Sequence, residues 1–120
     1  MLNNDRRISI GETHQQEDYI LRIIRQILLT IATLARHPTA SQQQEALDLI
    51  EEAYLTLFGI NAWMIPMLSP GKIVELATES GERQSFITLL EEEAKIRRNM
   101  GESAIADALD RRLKALEVAG

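Results

Sequence analysis

Apolar positions recur along this chain at steps of three and four. From about Gln15 to Arg36, Ile20, Ile24, Ile27, Ile31 and Leu34 fall on one helical face. Leu21, Leu28 and Ala35 make a second stripe beside it. Arg22, Arg25, Thr33 and Arg36 take the other side, joined there by Leu29. The apolar face is wider than one partner helix covers. This helix is therefore predicted to be central in a bundle or to meet a second chain. His37-Pro38 should end it, because proline disfavours helical geometry in the residue before it.

A second helix is expected to start at Ser41, with Ser41 as cap and Gln44 at the capping-box spacing. Ala46, Ile50, Ala53 and Leu57 form its main stripe, with Leu47, Tyr54 and Phe58 beside it. Glu45, Asp48, Glu51 and Glu52 give it an acidic outer face, and Gly59 is the natural stop. Ile60 to Leu68 is apolar but aperiodic and carries Pro66, which reads as a buried connector with a helical turn. Ser69-Pro70 restarts a short helix to about Thr78, with serine as cap and proline at the first position. A fourth helix is predicted from about Glu82 to Met100, with Phe86, Ile87, Leu90 and Ala94 inward. A fifth follows from about Ser103 to Val118, with Ile105, Leu109, Leu113 and Leu116 inward. No stretch alternates long enough for a strand. The expectation is an all-α bundle of four to five helices in antiparallel hairpins. Residues 1–14 show no sustained period and are expected to form a flexible arm. Residues 15–120 are expected to form a single all-helical domain.

The second helix of the last hairpin, Ala106 to Val118, resembles the second helix of a tetratricopeptide repeat. The matching signals are small Ala108, the ending Lys114-Ala115-Leu116-Glu117, and Gly101 closing the helix before it. Arg111 and Arg112 stand where that family usually has bulky aromatics, and only one such unit is present. The opening Asp18-Tyr19-Ile20-Leu21-Arg22-Ile23-Ile24 resembles the start of an uncharacterised family of short bacterial all-helical proteins with a tetratricopeptide-like end. That resemblance implies the fold from about Gln16 onward and implies no activity.

Composition narrows the function classes. The 120 residues are 45% apolar and only 4% aromatic, so the core must be mostly aliphatic. The net charge is −5, with five basic and eight acidic residues in 1–60 and eight and ten in 61–120. Neither half is basic, so no nucleic-acid partner is expected. The longest apolar stretch, Tyr19 to Ala35, is broken by Arg22, Arg25 and Gln26, so no membrane partner is expected either. No secretory signal is apparent, and a cytoplasmic location is expected. Cysteine is absent, which removes disulfides, zinc–thiolate sites and thiol nucleophiles.

Candidate chemistry is sparse. His14 with Glu17 or Asp18 has helical spacing for half a metal site, but no second such pair occurs. His37 suits a helix end. Glu51-Glu52 and Glu91-Glu92-Glu93 read as solvated faces, because consecutive helical positions diverge by roughly 100°. Ser69-Pro70-Gly71-Lys72 lacks the upstream glycine of a phosphate loop. Lys95, Arg97, Arg98, Arg111, Arg112 and Lys114 make either a small basic patch or ion pairs within the hairpin, and the acids between them favour ion pairs. No catalytic group, cofactor or metal is expected, and the chain is not expected to be an enzyme.

The apolar features carry more. Leu21, Leu28, Leu29, Trp63, Met64 and Met67 are candidate interface residues, through which a non-catalytic interaction or scaffold module would form a homodimer. The alternative is a ligand sensor with a pocket between the helix pairs, lined by Tyr54, Phe58, Trp63 and Met67.

Overall fold

The apolar stripes become helices, and local caps set their ends. The structure, a computed structural model, describes Tyr19, residues 22–36 and residues 39–119. Its elements are α1 (22–35), α2 (Ala40–Phe58), a 3-10 helix (Ala62–Met67), α3 (Pro70–Ser80), α4 (Arg83–Asn99) and α5 (Ser103–Ala119). The fold is all-α, and no strand occurs among the described residues. The expected arm at 1–14, the helix start near Gln15, and Ile20, Leu21, His14, His37 and Pro38 lie outside those residues.

Two capping expectations resolve differently. Helix α2 is capped by Thr39, not Ser41: the Thr39 hydroxyl accepts from the Gln42 amide at 3.3 Å. Thr39 is extended (ψ 139°), which Ser41, inside the helix, is not. Thr39 and Gln42 also have the capping-box spacing, and the hydroxyl in turn donates to the Gln42 side-chain oxygen. Ser69 caps α3 as expected, accepting from the Lys72 amide at 3.2 Å, with Pro70 in the first turn.

Helices α4 and α5 form an antiparallel hairpin. Gly101, at φ 83°, makes the turn. Its amide reaches the Arg98 carbonyl at 3.1 Å, and that of Glu102 reaches the Arg97 carbonyl at 2.8 Å. This is the Schellman pattern, which satisfies the last carbonyls of α4. Arg83, at the start of α4, donates to the Leu116 carbonyl near the end of α5. Arg98, at the other end, pairs with Asp107 at 3.3 Å and Asp110 at 2.6 Å.

One apolar core runs from Ile31 in α1 to Leu116 in α5. Tyr54 and Phe58 of α2 pack on Phe86 of α4, with ring centroids 5.7 and 4.3 Å apart. Ile105, expected inside, is 37% exposed, while Ala106, Ala108 and Leu109 are buried.

Candidate functional site

Helices α1 and α2 flank a groove. Ile23, Ile24, Ile27 and Leu28 line it from α1; Leu49, Glu52, Ala53, Thr56 and Leu57 line it from α2. The cavity is about 490 Å³ and mostly apolar. Ile23 is still 40% exposed at its edge.

The outer faces of these two helices differ in charge. On α1, Arg22, Arg25 and Leu29 follow one another at helical spacing, and Leu29 is 68% exposed. Residues 22–36 contain three arginines and no acid. On α2, Asp48, Glu51 and Leu55 follow one another on the outer face, with Leu55 53% exposed, while Glu52 turns toward the groove; Asp48 accepts from the Gln44 side-chain amide at 3.1 Å. Helix α2 has four acids and no base. Among the described residues, no ion pair involves any of these charges.

The 3-10 connector buries Ala62 and Ile65 and leaves Trp63 and Met67 exposed, at 64% and 75%. It is therefore only half the buried connector expected. Arg112, 9% exposed, holds it in place. The Arg112 Nε donates to the Ile65 carbonyl at 3.1 Å and the Leu68 carbonyl at 3.0 Å, and one Nη donates to the Ala108 carbonyl at 2.8 Å. Burial and the neighbouring Arg111 lower its pKa from the usual value. Arg112 thus belongs to the interior and not to a basic patch.

The remaining basic residues of the hairpin are mostly engaged in ion pairs. Lys95 lies 3.6 Å from Glu92. Arg97 bridges Glu93 at 3.3 Å and Glu102 at 2.8 Å. Glu93 corrects the reading of Glu91-Glu92-Glu93 as a solvated face. It is 2% exposed and lies beneath α2, where Tyr54 is fully buried. Burial raises the Glu93 carboxyl above the usual range, and Arg97 pulls against that shift. Burial also raises the Tyr54 phenol well above its usual value, and the Glu93 charge adds to it. Arg97 is raised: the two glutamates outweigh its own desolvation. The Tyr54 hydroxyl and the Glu93 Oε1 are both enclosed and make no well-formed hydrogen bond, although the phenol and the carboxyl lie close enough to influence each other. A perturbed carboxyl of this kind suits acid–base work only if substrate reaches it. Neither the α1/α2 groove nor the shallow hollow at Glu91, Lys95 and Asp110 includes Glu93.

Of the candidate interface residues, Leu29, Trp63 and Met67 are exposed, while Met64 is half-buried in the connector. Leu28 lines the groove, and Leu21 lies outside the described residues. The four residues expected around a ligand pocket are not gathered at that groove. Tyr54 and Phe58 pack against Phe86, and Trp63 and Met67 point outward. The groove itself was missed because Leu49 and Thr56 lie off the α2 stripe that periodicity picks out. Among the described residues, no group of three or more His, Asp or Glu side chains is placed to hold a metal ion. No described helix is long and apolar enough to cross a membrane.

Fold and surface together define an all-α bundle with an apolar groove in its first hairpin. No family model, curated protein or solved structure matches the chain.

Proposed function

We propose that this chain is a non-catalytic helical interaction module that self-associates through its α1/α2 hairpin. The observation that carries the reading is the pair of exposed leucines, Leu29 and Leu55, on the outer faces of two helices that also enclose an apolar groove. The apolar groove, with Ile23 40% exposed at its edge, adds surface of the kind that meets a partner. The tetratricopeptide-like hairpin α4/α5 then serves as the rigid base, closed by its own ion pairs and by Arg112. A cytoplasmic setting fits the acidic net charge.

A second reading has one observation in its favour. The groove has the volume of a small-molecule site, for which about 300–1,000 Å³ is usual. A ligand bound there would be mostly apolar, with Glu52 and Thr56 the polar residues that line it among the described residues. Sedimentation velocity of the wild type and of Leu29→Glu separates the two. Self-association predicts a dimer that the substitution turns into a folded monomer. A wild type that is monomeric at all concentrations contradicts it and leaves the groove to a ligand.

A further inference from the structure

We infer that the α1/α2 groove binds a cationic amphiphile, whose apolar body lies in the groove and whose terminal ammonium pairs with Glu52. This rests on the second reading above, that the groove takes a small molecule, and names the chemical class of that molecule.

The walls set the body of the ligand. Leu49, Ala53 and Leu57 follow one another at steps of four on α2, and Ile24, Ile27 and Leu28 line the same groove from α1. None of these side chains donates or accepts a hydrogen bond, so the part of a ligand that lies among them is apolar.

Glu52 sets the head. Among the described residues it is the one charged side chain that lines the groove. It is exposed, so it stands at the mouth and not in the wall. Among the described residues it has no ion-pair partner. Its acidic neighbours are placed differently: Glu51 lies on the outer face, and Asp48 accepts from the Gln44 side-chain amide at 3.1 Å. On α1, the groove side is held by Ile23, Ile24, Ile27 and Leu28, which turns Arg22 and Arg25 away from it. No described arginine or lysine therefore competes for Glu52 inside the groove.

A carboxylate only accepts, so its complement is a donor that carries positive charge. Thr56, one turn after Glu52, adds a hydroxyl that can accept a second ammonium N–H. A carboxylate-headed amphiphile would bring like charge to Glu52, and a neutral one would gain only the walls. Helix α2 has four acids and no base, and its field has the same sign as Glu52. An exposed ion pair is modest, so the walls supply most of the affinity and Glu52 selects the head group.

Methyl-labelled NMR titrations with decylammonium, decanoate and decanol, each below its micelle or solubility limit, test this. Decylammonium should shift the methyls of Ile27, Leu28, Leu49 and Leu57 and bind about tenfold more tightly than decanoate. Glu52→Gln should weaken decylammonium about fivefold, whereas Glu51→Gln, on the outer face, should leave it unchanged. Thr56→Trp fills the groove from an exposed position and should abolish the shifts. Circular dichroism checks that each variant keeps its helices. If decanoate or decanol binds the groove as tightly as decylammonium, the cationic class is overturned while the second reading stands. Equal weakening by Glu52→Gln and Glu51→Gln also overturns it, because attraction is then to net charge alone. Shifts that persist in Thr56→Trp place the probe elsewhere and overturn the site. If no probe moves these methyls, the class and the second reading fall together. Sedimentation of the same samples reads self-association separately.

Discussion

The guanidinium of Arg112 lies 3.1 Å from the carbonyl oxygen of Ile65, a residue 47 positions earlier in the chain. With the second contact to Leu68, one side chain of α5 closes the carbonyls of the 3-10 connector that α3 leaves behind. Charged hydrogen bonds of this kind are stronger than neutral ones, and their loss strands buried acceptors. The fork geometry matters as much as the charge.

Arg112→Met is therefore expected to destabilise the fold by about 1.5–3 kcal/mol. Arg112→Lys should recover only part of that loss, because one ammonium cannot reproduce the Nε and Nη directions. Urea unfolding monitored by circular dichroism measures both, with Trp63 fluorescence reporting on the connector. A Lys variant as stable as the wild type would show that charge alone suffices.

Glu93 predicts a pH dependence. Its carboxyl is raised above the ordinary 4.5 on folding, mainly by burial. A carboxyl raised on folding gives its full stabilisation below the unfolded pKa and loses it as pH rises through the folded value. Glu93→Gln does not titrate. Its stability relative to the wild type should therefore climb as pH increases from 4.5 through the raised folded value, read from unfolding midpoints across that range. A difference that stays flat, or falls, contradicts the buried charge.

Tyr54 separates ring from hydroxyl. The hydroxyl is enclosed and makes no well-formed hydrogen bond, so Tyr54→Phe should change stability by no more than about 1 kcal/mol. Tyr54→Ala removes the ring packed on Phe86 and should cost about 3–5 kcal/mol. Thermal unfolding of the pair decides it. A large loss in the Phe variant would show that the hydroxyl is bonded to Glu93.

Gly101 closes the α4/α5 hairpin at φ 83°, a backbone state that side chains disfavour, though nothing crowds the position. Gly101→Ala should lower stability by about 1–2 kcal/mol through backbone strain alone, measurable by denaturant titration.

Most of the fold was legible in the sequence. The five helices, the cap at Ser69, the stop at Gly59 and the turn at Gly101 follow from apolar spacing and from the chemistry of serine, proline and glycine. The buried charges were not read, although their positions announce them. Glu93 falls three after Leu90 and four after Leu89, and Arg112 three after Leu109 and four before Leu116, each within a buried stripe. Residue type pointed outward while position pointed inward, and position won because Arg97 and main-chain carbonyls supplied partners. The candidate surface was legible in part. Leu29 stands off its stripe and is exposed; Leu55 also lies outside the α2 stripes, one turn after Glu51 and Glu52, and is exposed. The groove depends on the angle between α1 and α2, which spacing along a single helix does not encode.

Self-association is the claim on which the functional account stands, and molar mass in solution tests it most directly. Light scattering across a dilution series of the wild type should give twice the 13.6 kDa of one chain at the upper concentrations, falling toward one chain on dilution. A mass of 13.6 kDa at every concentration would contradict it.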